Sequence, residues 1–348
     1  MKIAVVILNW NGRGMLERFL PSVVEYTQVE AEVIVADNGS TDDSLQFLKE
    51  NYPQIRVIAM DKNYGFAGGY NKALEQVEAD YFVLLNDDVE VSPHWVKNVV
   101  SAMEMDTETA IGQPKILMYD DKNRFEYAGA AGGWIDSYGY PFCRGRMFDI
   151  VEEDNGQYDQ ECECFWATGA AMFVKAAVWK ELKGLDEDFF AHMEEIDLCW
   201  RAQNAGWKVK CYPQSKVWHV GGGTLPKSSP TKTYLNFRNN LYMLYKNLPQ
   251  KRMKRVLAAR MILDGVAALK FLTEGKKDEF TAVWRAHKDY RKHKKELGFK
   301  RANLPQKEID TIYQGWLLVD YYMRKKTCFS QLSLETGKMT ENNNYNNK

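Results

Sequence analysis

IAVVILNWNG at residues 3–12 and YFVLLNDD at residues 81–88 each run a short apolar stretch straight into a polar loop. Between them the chain alternates. Met15–Val24, Ser44–Asn51 and Tyr70–Val77 are amphipathic, whereas Val33–Ala36 and Arg56–Met60 are short and rich in β-branched residues. Strand, helix, strand in succession predicts a mostly parallel sheet covered by helices, an α/β fold. Thr41 and Asp42 are suited to cap the second helix, and Ser92 before Pro93 predicts a helix over Pro93–Met105.

The 348 residues, 45% of them hydrophobic, suffice for one large α/β domain and a smaller appendage. No apolar run approaches the roughly 18 residues of a spanning helix, and Ile3–Leu8 is too short for a signal peptide. The expectation is a cytoplasmic chain. The six cysteines match neither a disulfide framework nor a zinc knuckle and read as buried thiols. Any metal must then use oxygen or imidazole ligands.

The net charge of −1 hides a division. Residues 1–235 hold 22 basic and 36 acidic side chains, a balance of −14, whereas residues 236–330 hold 22 and 9, a balance of +13. Two modules facing different partners are implied. We divide the chain into 1–235, with halves 1–105 and 106–235, a basic helical region 236–330, and a tail 331–348 whose Asn-rich end, Glu341–Lys348, reads as disordered. Val256, Leu257, Met261, Ile262, Val266, Leu269 and Leu272 recur at helical spacing in the basic region.

Ligands of open parallel sheets sit outside the carboxyl ends of the strands. Four loops fall there: Asn9 to Gly12, Asp37 to Asp42, Asn63 to Asn71, and Asn86 to Asp88. Asp37 can accept from the N–H of a pyrimidine base, or form only an Asx-turn and helix cap. Gly65, Gly68 and Gly69 open a helix whose amides can approach a ribose or phosphates, although they do not follow the first strand as a dinucleotide fingerprint would. Asp87 and Asp88 are adjacent carboxylates at a strand end, where a magnesium or manganese ion bridging two phosphates is the natural occupant. Glu194, Glu195 and Asp197 lie in the first turn of a further helix, as caps or as a general base raised by burial and like charge. His219 precedes Gly221-Gly222-Gly223-Thr224, a glycine run able to close over a diphosphate; His192 is a candidate for support behind the base.

These segments resemble the inverting glycosyltransferases of family 2, particularly the rhamnosyltransferase-like members that build bacterial surface polysaccharides. VVILNWNG, ADNGSTDDS, NYGFAGGYN, LLNDDVE, TGAAMFVKAAVW, FFAHMEEIDLCWR and WHVGGGT occur in order over residues 1 to about 245. The resemblance implies a GT-A fold, Asp88 and His219 as ligands of a divalent cation, and Glu195 as general base with Glu194 as its alternate. It implies donor contacts from Asn9, Asn11, Asp37, Asn63, Gly65, Gly68, Asn86 and Asp87. Two positions depart from the family pattern: Asn86 stands where aspartate often begins the metal motif, and Glu195 where aspartate often serves as base.

The activity so implied is transfer of a sugar from a thymidine or uridine diphospho-sugar to a hydroxyl of a glycan or lipid-linked acceptor, with inversion and without a protein nucleophile. The competing readings are a sugar-nucleotide nucleotidyltransferase, which lacks its basic Gly-rich loop here, and a non-catalytic carbohydrate-binding protein, which suits the aromatic middle. For the basic region two partners stay open: an anionic membrane, met through Trp284, Tyr313, Trp316, Tyr321 and Tyr322, or another subunit of a homo-oligomer. Nucleic acid is not among the expected partners.

Overall fold

The computed structural model describes residues 1–221 and 229–333. Most of the glycine run after His219 and the Asn-rich tail therefore lie outside the described residues. The chain begins β1 (Ile3–Asn9), α1 (Arg13–Thr27), β2 (Glu32–Asp37), α2 (Ser44–Asn51), β3 (Arg56–Ala59), α3 (Gly65–Leu74), β4 (Tyr81–Asn86). β5 (Val89–Val91), α4 (Trp95–Met105) and the long β6 (Thr109–Met118) follow. Short strands come next: β7 (Gly133–Asp136), β8 (Pro141–Cys143), β9 (Arg146–Met147), β10 (Ile150–Val151), β11 (Cys162–Glu163) and β12 (Ala171–Lys175). Beyond them lie α5 (Ala176–Glu181), α6 (Glu194–Ala205), β13 (Lys208–His219), α7 (Pro230–Asn247), α8 (Gln250–Thr273), α9 (Lys277–Ala302) and β14 (Ile312–Tyr313).

The main sheet has the order β11-β13-β6-β12-β4-β1-β2-β3, with β5 added against β13. β3, β2, β1 and β4 are parallel, as the alternating pattern requires. The other half is mixed, because β12 enters antiparallel between β4 and β6. That reversal sets the start of β12 beside the end of β4, where the Asn86 amide donates to Ala170 at 3.0 Å. Alternate residues of β1 serve two cores: Ala4 and Val6 pack with α3 and the later elements, Ile3, Val5 and Ile7 with α1, α2 and α4. A second sheet, β10-β9-β8-β7-β14, packs within the first of these cores.

Three local expectations change. α4 starts at Trp95 because His94 is left-handed (φ 60), and Ser92 spends its hydroxyl on the Lys216 carbonyl at 2.7 Å instead of capping. α3 starts at Gly65, five residues before the apolar pattern begins, because the Phe190 carbonyl accepts from Phe66 and Ala67 at 2.8 and 3.2 Å. The cysteines are all free thiols, yet Cys162 and Cys328 are only half-buried. The region after 230 is helical but not detached: α7 packs on α6 and α9, and β14 joins β7.

Candidate functional site

The four strand-end loops meet at one edge of the sheet, and their polar side chains are bonded to one another. Asn9, fully buried, donates through Nδ2 to Asp37 Oδ1 at 2.8 Å and Ser40 Oγ at 3.1 Å. Asp37 Oδ2 accepts from the Ser40 amide at 3.0 Å, so the Asx-turn forms. Asn11 holds the same loop, accepting from Thr41 and Asp42 amides at 2.7 and 3.3 Å. Asn38, which the sequence reading passed over, donates to Asn63 Oδ1 and the Gly65 carbonyl and accepts from the Tyr64 amide.

The glycines serve close approach. A Cβ on Gly12 would lie 2.2 Å from Asp87 Oδ2 and 2.5 Å from Asn9 Oδ1. Only a bare α-carbon lets the two loops meet there. Gly65, at φ +72, lies against Phe190, and a Cβ on Gly68 would be 3.1 Å from Tyr64. The α3 amides expected to face phosphates already have protein partners: Asn63 Oδ1 takes that of Gly65 at 2.7 Å, and Phe190 takes the next two. These glycines therefore shape the site without presenting free donors at the helix start.

β5 turns back from Asp88 and pairs with β13, setting Val89 opposite His219. The His219 ring consequently lies beside the β4 end, with Nε2 3.1 Å from Asp88 Oδ1 and 3.3 Å from Asn86 Nδ2. Its Nδ1 is 3.5 Å from Glu126, a buried carboxylate that also accepts from the Ala128 amide. Nothing in the sequence around Glu126 signalled it. Burial works against the imidazolium, but Asp88 and Glu126 outweigh it and raise His219 to about 10. Burial, then the charge of Asp88, pushes Asp87 up to about 7. Burial opposes ionisation of Asp88 as well, yet the His219 charge holds it below the ordinary carboxylate range.

Asp88 and His219 would fit a divalent cation as a partial set once the cation displaces the His219 proton: one carboxylate oxygen from the β4–β5 turn and one imidazole nitrogen from the end of β13. Among the described residues no group of three or more His, Cys, Asp or Glu forms a complete cage. A cation held there would need its remaining ligands from a bound diphosphate or water, the arrangement usual where metal and phosphate bind together.

At the other side of this edge, Phe190 joins the α3 start to the loop before α6. Phe190, His192 and Met193 are all left-handed, at φ 64, 70 and 72. Such non-glycine residues cost about 1–3 kcal/mol each and persist where surroundings hold them. Asn239 of α7 supplies that hold, donating to the Phe189, Ala191 and His192 carbonyls at 2.9, 2.8 and 2.7 Å.

α6 then opens with three carboxylates. Asp197 is satisfied by Arg201 at 2.8 Å, Lys246 at 2.9 Å and Asn247 at 2.8 Å. Burial opposes its charge, and Lys246 with Arg201 restores it, keeping its pKa low. Glu194 and Glu195 each keep a buried oxygen with no hydrogen-bond partner in the protein. Burial and then Glu195 push Glu194 well up; burial raises Glu195 to about 7 against the pull of backbone amides at the helix start. Glu194 is buried and Glu195 half-exposed. His192, lowered by burial and then Lys232 to about 4, is neutral, with Nε2 also unpartnered.

Residues 4–165 match the model of glycosyl transferase family 2. Over that stretch, a little under half of its length, the chain is similar to the family 2 glycosyltransferases. It is 28% identical over 239 residues to the N-acetylglucosaminyl-diphospho-decaprenol L-rhamnosyltransferase of Mycobacterium tuberculosis, covering 62% of this chain and 75% of that protein. It is 22% identical to the low-salt glycan biosynthesis hexosyltransferase Agl10 of Haloferax volcanii, over 80% of this chain and 87% of that one. GalNAc-T7, solved with UDP, GalNAc and Mn2+, superposes with a TM-score of 0.58 at 15% identity, over 85% of this chain and 57% of that one. The fold is thus GT-A.

Proposed function

We propose that this chain is a glycosyltransferase that moves one sugar from a nucleoside-diphosphate donor to a hydroxyl of a glycan or lipid-linked saccharide, by one in-line displacement with inversion at the anomeric carbon. The observation that carries this reading is the pairing of two unlike centres at one sheet edge. Asp88 and His219 form a partial cation site; Glu195 is a half-buried residue whose buried Oε2 has no hydrogen-bond partner in the protein.

Asp88 and His219 would hold a magnesium or manganese ion, which when bound would supply Lewis-acid neutralisation of the departing diphosphate. The mixed oxygen and nitrogen pair suits manganese as well as magnesium. Asp37, Asn9 and Asn11 shape the nucleoside pocket, with Asn63, Gly65 and Gly68 behind them and Asn86 and Asp87 along the diphosphate. Asp37 keeps lone pairs for a pyrimidine N–H beside its two internal bonds. Glu195, ionised near neutrality, takes the acceptor proton as the hydroxyl oxygen attacks. Glu194 stays protonated beside it, which keeps the second negative charge away from the nucleophile's path. Because attack is direct, no residue is required as a covalent carrier.

The mycobacterial relative's name supports a rhamnosyl donor such as dTDP-rhamnose and a lipid-linked acceptor; a UDP-sugar fits the same nucleoside contacts. Such an acceptor places the enzyme at the inner face of the cytoplasmic membrane. Melting of the protein with a panel of dTDP- and UDP-sugars, with and without manganese, tests the donor. One donor should raise Tm in a manganese-dependent way, because ligand at about 100 times Kd stabilises by about 2.7 kcal/mol. A panel in which no nucleotide sugar shifts Tm or yields nucleoside diphosphate would sink the reading.

A further inference from the structure

The apolar residues of α8 do not form one face. Met253, Val256, Leu257 and Ala268 are buried with the ion-paired Arg260 and Asp264. Ile262, Val266 and Leu269 are 69%, 60% and 59% exposed, and Leu272 is 43% exposed. Steps of four and three residues align Ile262, Val266 and Leu269 along one outward stripe, with Leu272 at its margin. A helix that serves only its own core places polar residues there.

The charges along the exposed side of α8 are basic, and acids appear only past its C-terminal end, at Glu274, Asp278 and Glu279. Asp264 is the sole carboxylate of α8, and it is buried between Arg260 at 2.9 Å and His287 at 3.1 Å. The exposed surface of the helix therefore presents no acid. Lys251, Lys254 and Arg255 are exposed ahead of the stripe, and Lys270, Lys276 and Lys277 after it. Glu274, just past the helix, pairs with Lys270 and Lys276. The Asp264–His287 contact sets the register of the antiparallel α8–α9 pair, and it brings Trp284, 67% exposed, level with Val266 to Leu269.

We propose that the outward face of α8 docks on an anionic bilayer. The aliphatic stripe enters the boundary between headgroups and acyl chains, and the flanking lysines and Arg255 meet lipid phosphates. Charge selects this occupant over a second copy, because self-association would face one acid-free basic helix with another. The other aromatic residues expected at the headgroups divide differently. Tyr313 is buried and bonded to Asp320 at 2.7 Å, and Tyr321 stacks on Phe148 at 4.7 Å. No helix among the described residues is long and apolar enough to cross a membrane, so this contact is a surface one.

The inference rests on the lipid-linked reading of the acceptor for its purpose, and its test uses neither donor nor acceptor. The full chain is sedimented with vesicles of phosphatidylcholine alone or mixed equally with phosphatidylglycerol. Binding to the mixed vesicles should weaken with salt and fall about tenfold or more in the double variant Val266→Asp, Leu269→Asp. Both positions are exposed, and an unchanged Tm verifies that the variant folds. Absent binding, equal binding to neutral vesicles, or unchanged binding by the variant overturns the proposal. So does self-association that the variant abolishes without any vesicle binding. If vesicles bind but a detergent-dispersed lipid-linked saccharide receives no sugar, the acceptor reading fails and the docking surface stands.

Discussion

Glu194, Glu195 and Asp197 share one helical turn, and what each oxygen touches separates their chemistry. Asp197 is compensated by Lys246 and Arg201; the glutamates are not. Burial raises Glu195 to about 7, so transfer with donor saturated should climb as pH rises through about 7 and level off above it. A flat profile across that range removes the base from this position. Glu194 gives a stability prediction. Its folded pKa is raised, so its contribution is full below the unfolded value near 4.5 and is lost as pH rises through the folded one. Glu194→Gln should therefore melt with wild type at about pH 4 and above it at about pH 8; the opposite order contradicts the assignment. The acidic trio was legible in the sequence, but its division was not, because Lys246 and Asn247 arrive from some 50 residues away. Glu126 escaped for the same reason, being brought to His219 only by the pairing of distant strands.

α7 is the element that holds the site's second side. Its Asn239 bonds three carbonyls of a loop with three left-handed residues, and its Lys246 bridges Asp186 and Asp197. Asn239→Ala frees the loop to relax, so kcat should fall by about tenfold or more while the donor-induced Tm shift is retained. Equal loss of donor affinity would mean that α7 shapes the donor pocket instead. Lys246→Met leaves Asp186 with Lys300 and Asp197 with Arg201 as their remaining cations, so the lost contacts should cost about 1–3 kcal/mol in unfolding measurements. A variant as stable as wild type would show the network to be dispensable. The parallel strands were readable because each apolar run is short and followed by a helix. β12 and β14 were not, since an antiparallel insertion and a two-residue strand leave no periodicity to read. The mixed fate of α8 was equally hidden: spacing shows which residues align, not which side has a neighbour.

At the scale of the molecule, a sheet edge gathers the candidate site residues of the acidic half, and α7 and α9 hold the loop before α6 beside it. Asp88 is buried beside a charged His219 rather than lying on a free loop, so Asp88→Asn tests it with less disturbance than Ala. That variant should lose the manganese-dependent donor shift and also melt lower without donor, because buried His219 keeps only Glu126 as a carboxylate partner. A retained shift would move the cation elsewhere. The central claim is that Glu195 takes the proton of the attacking hydroxyl, and transfer by Glu195→Gln at saturating donor tests it most directly. The account predicts a rate lower by roughly 10²–10⁴-fold with the donor-induced Tm shift intact; transfer near the wild-type rate would contradict it.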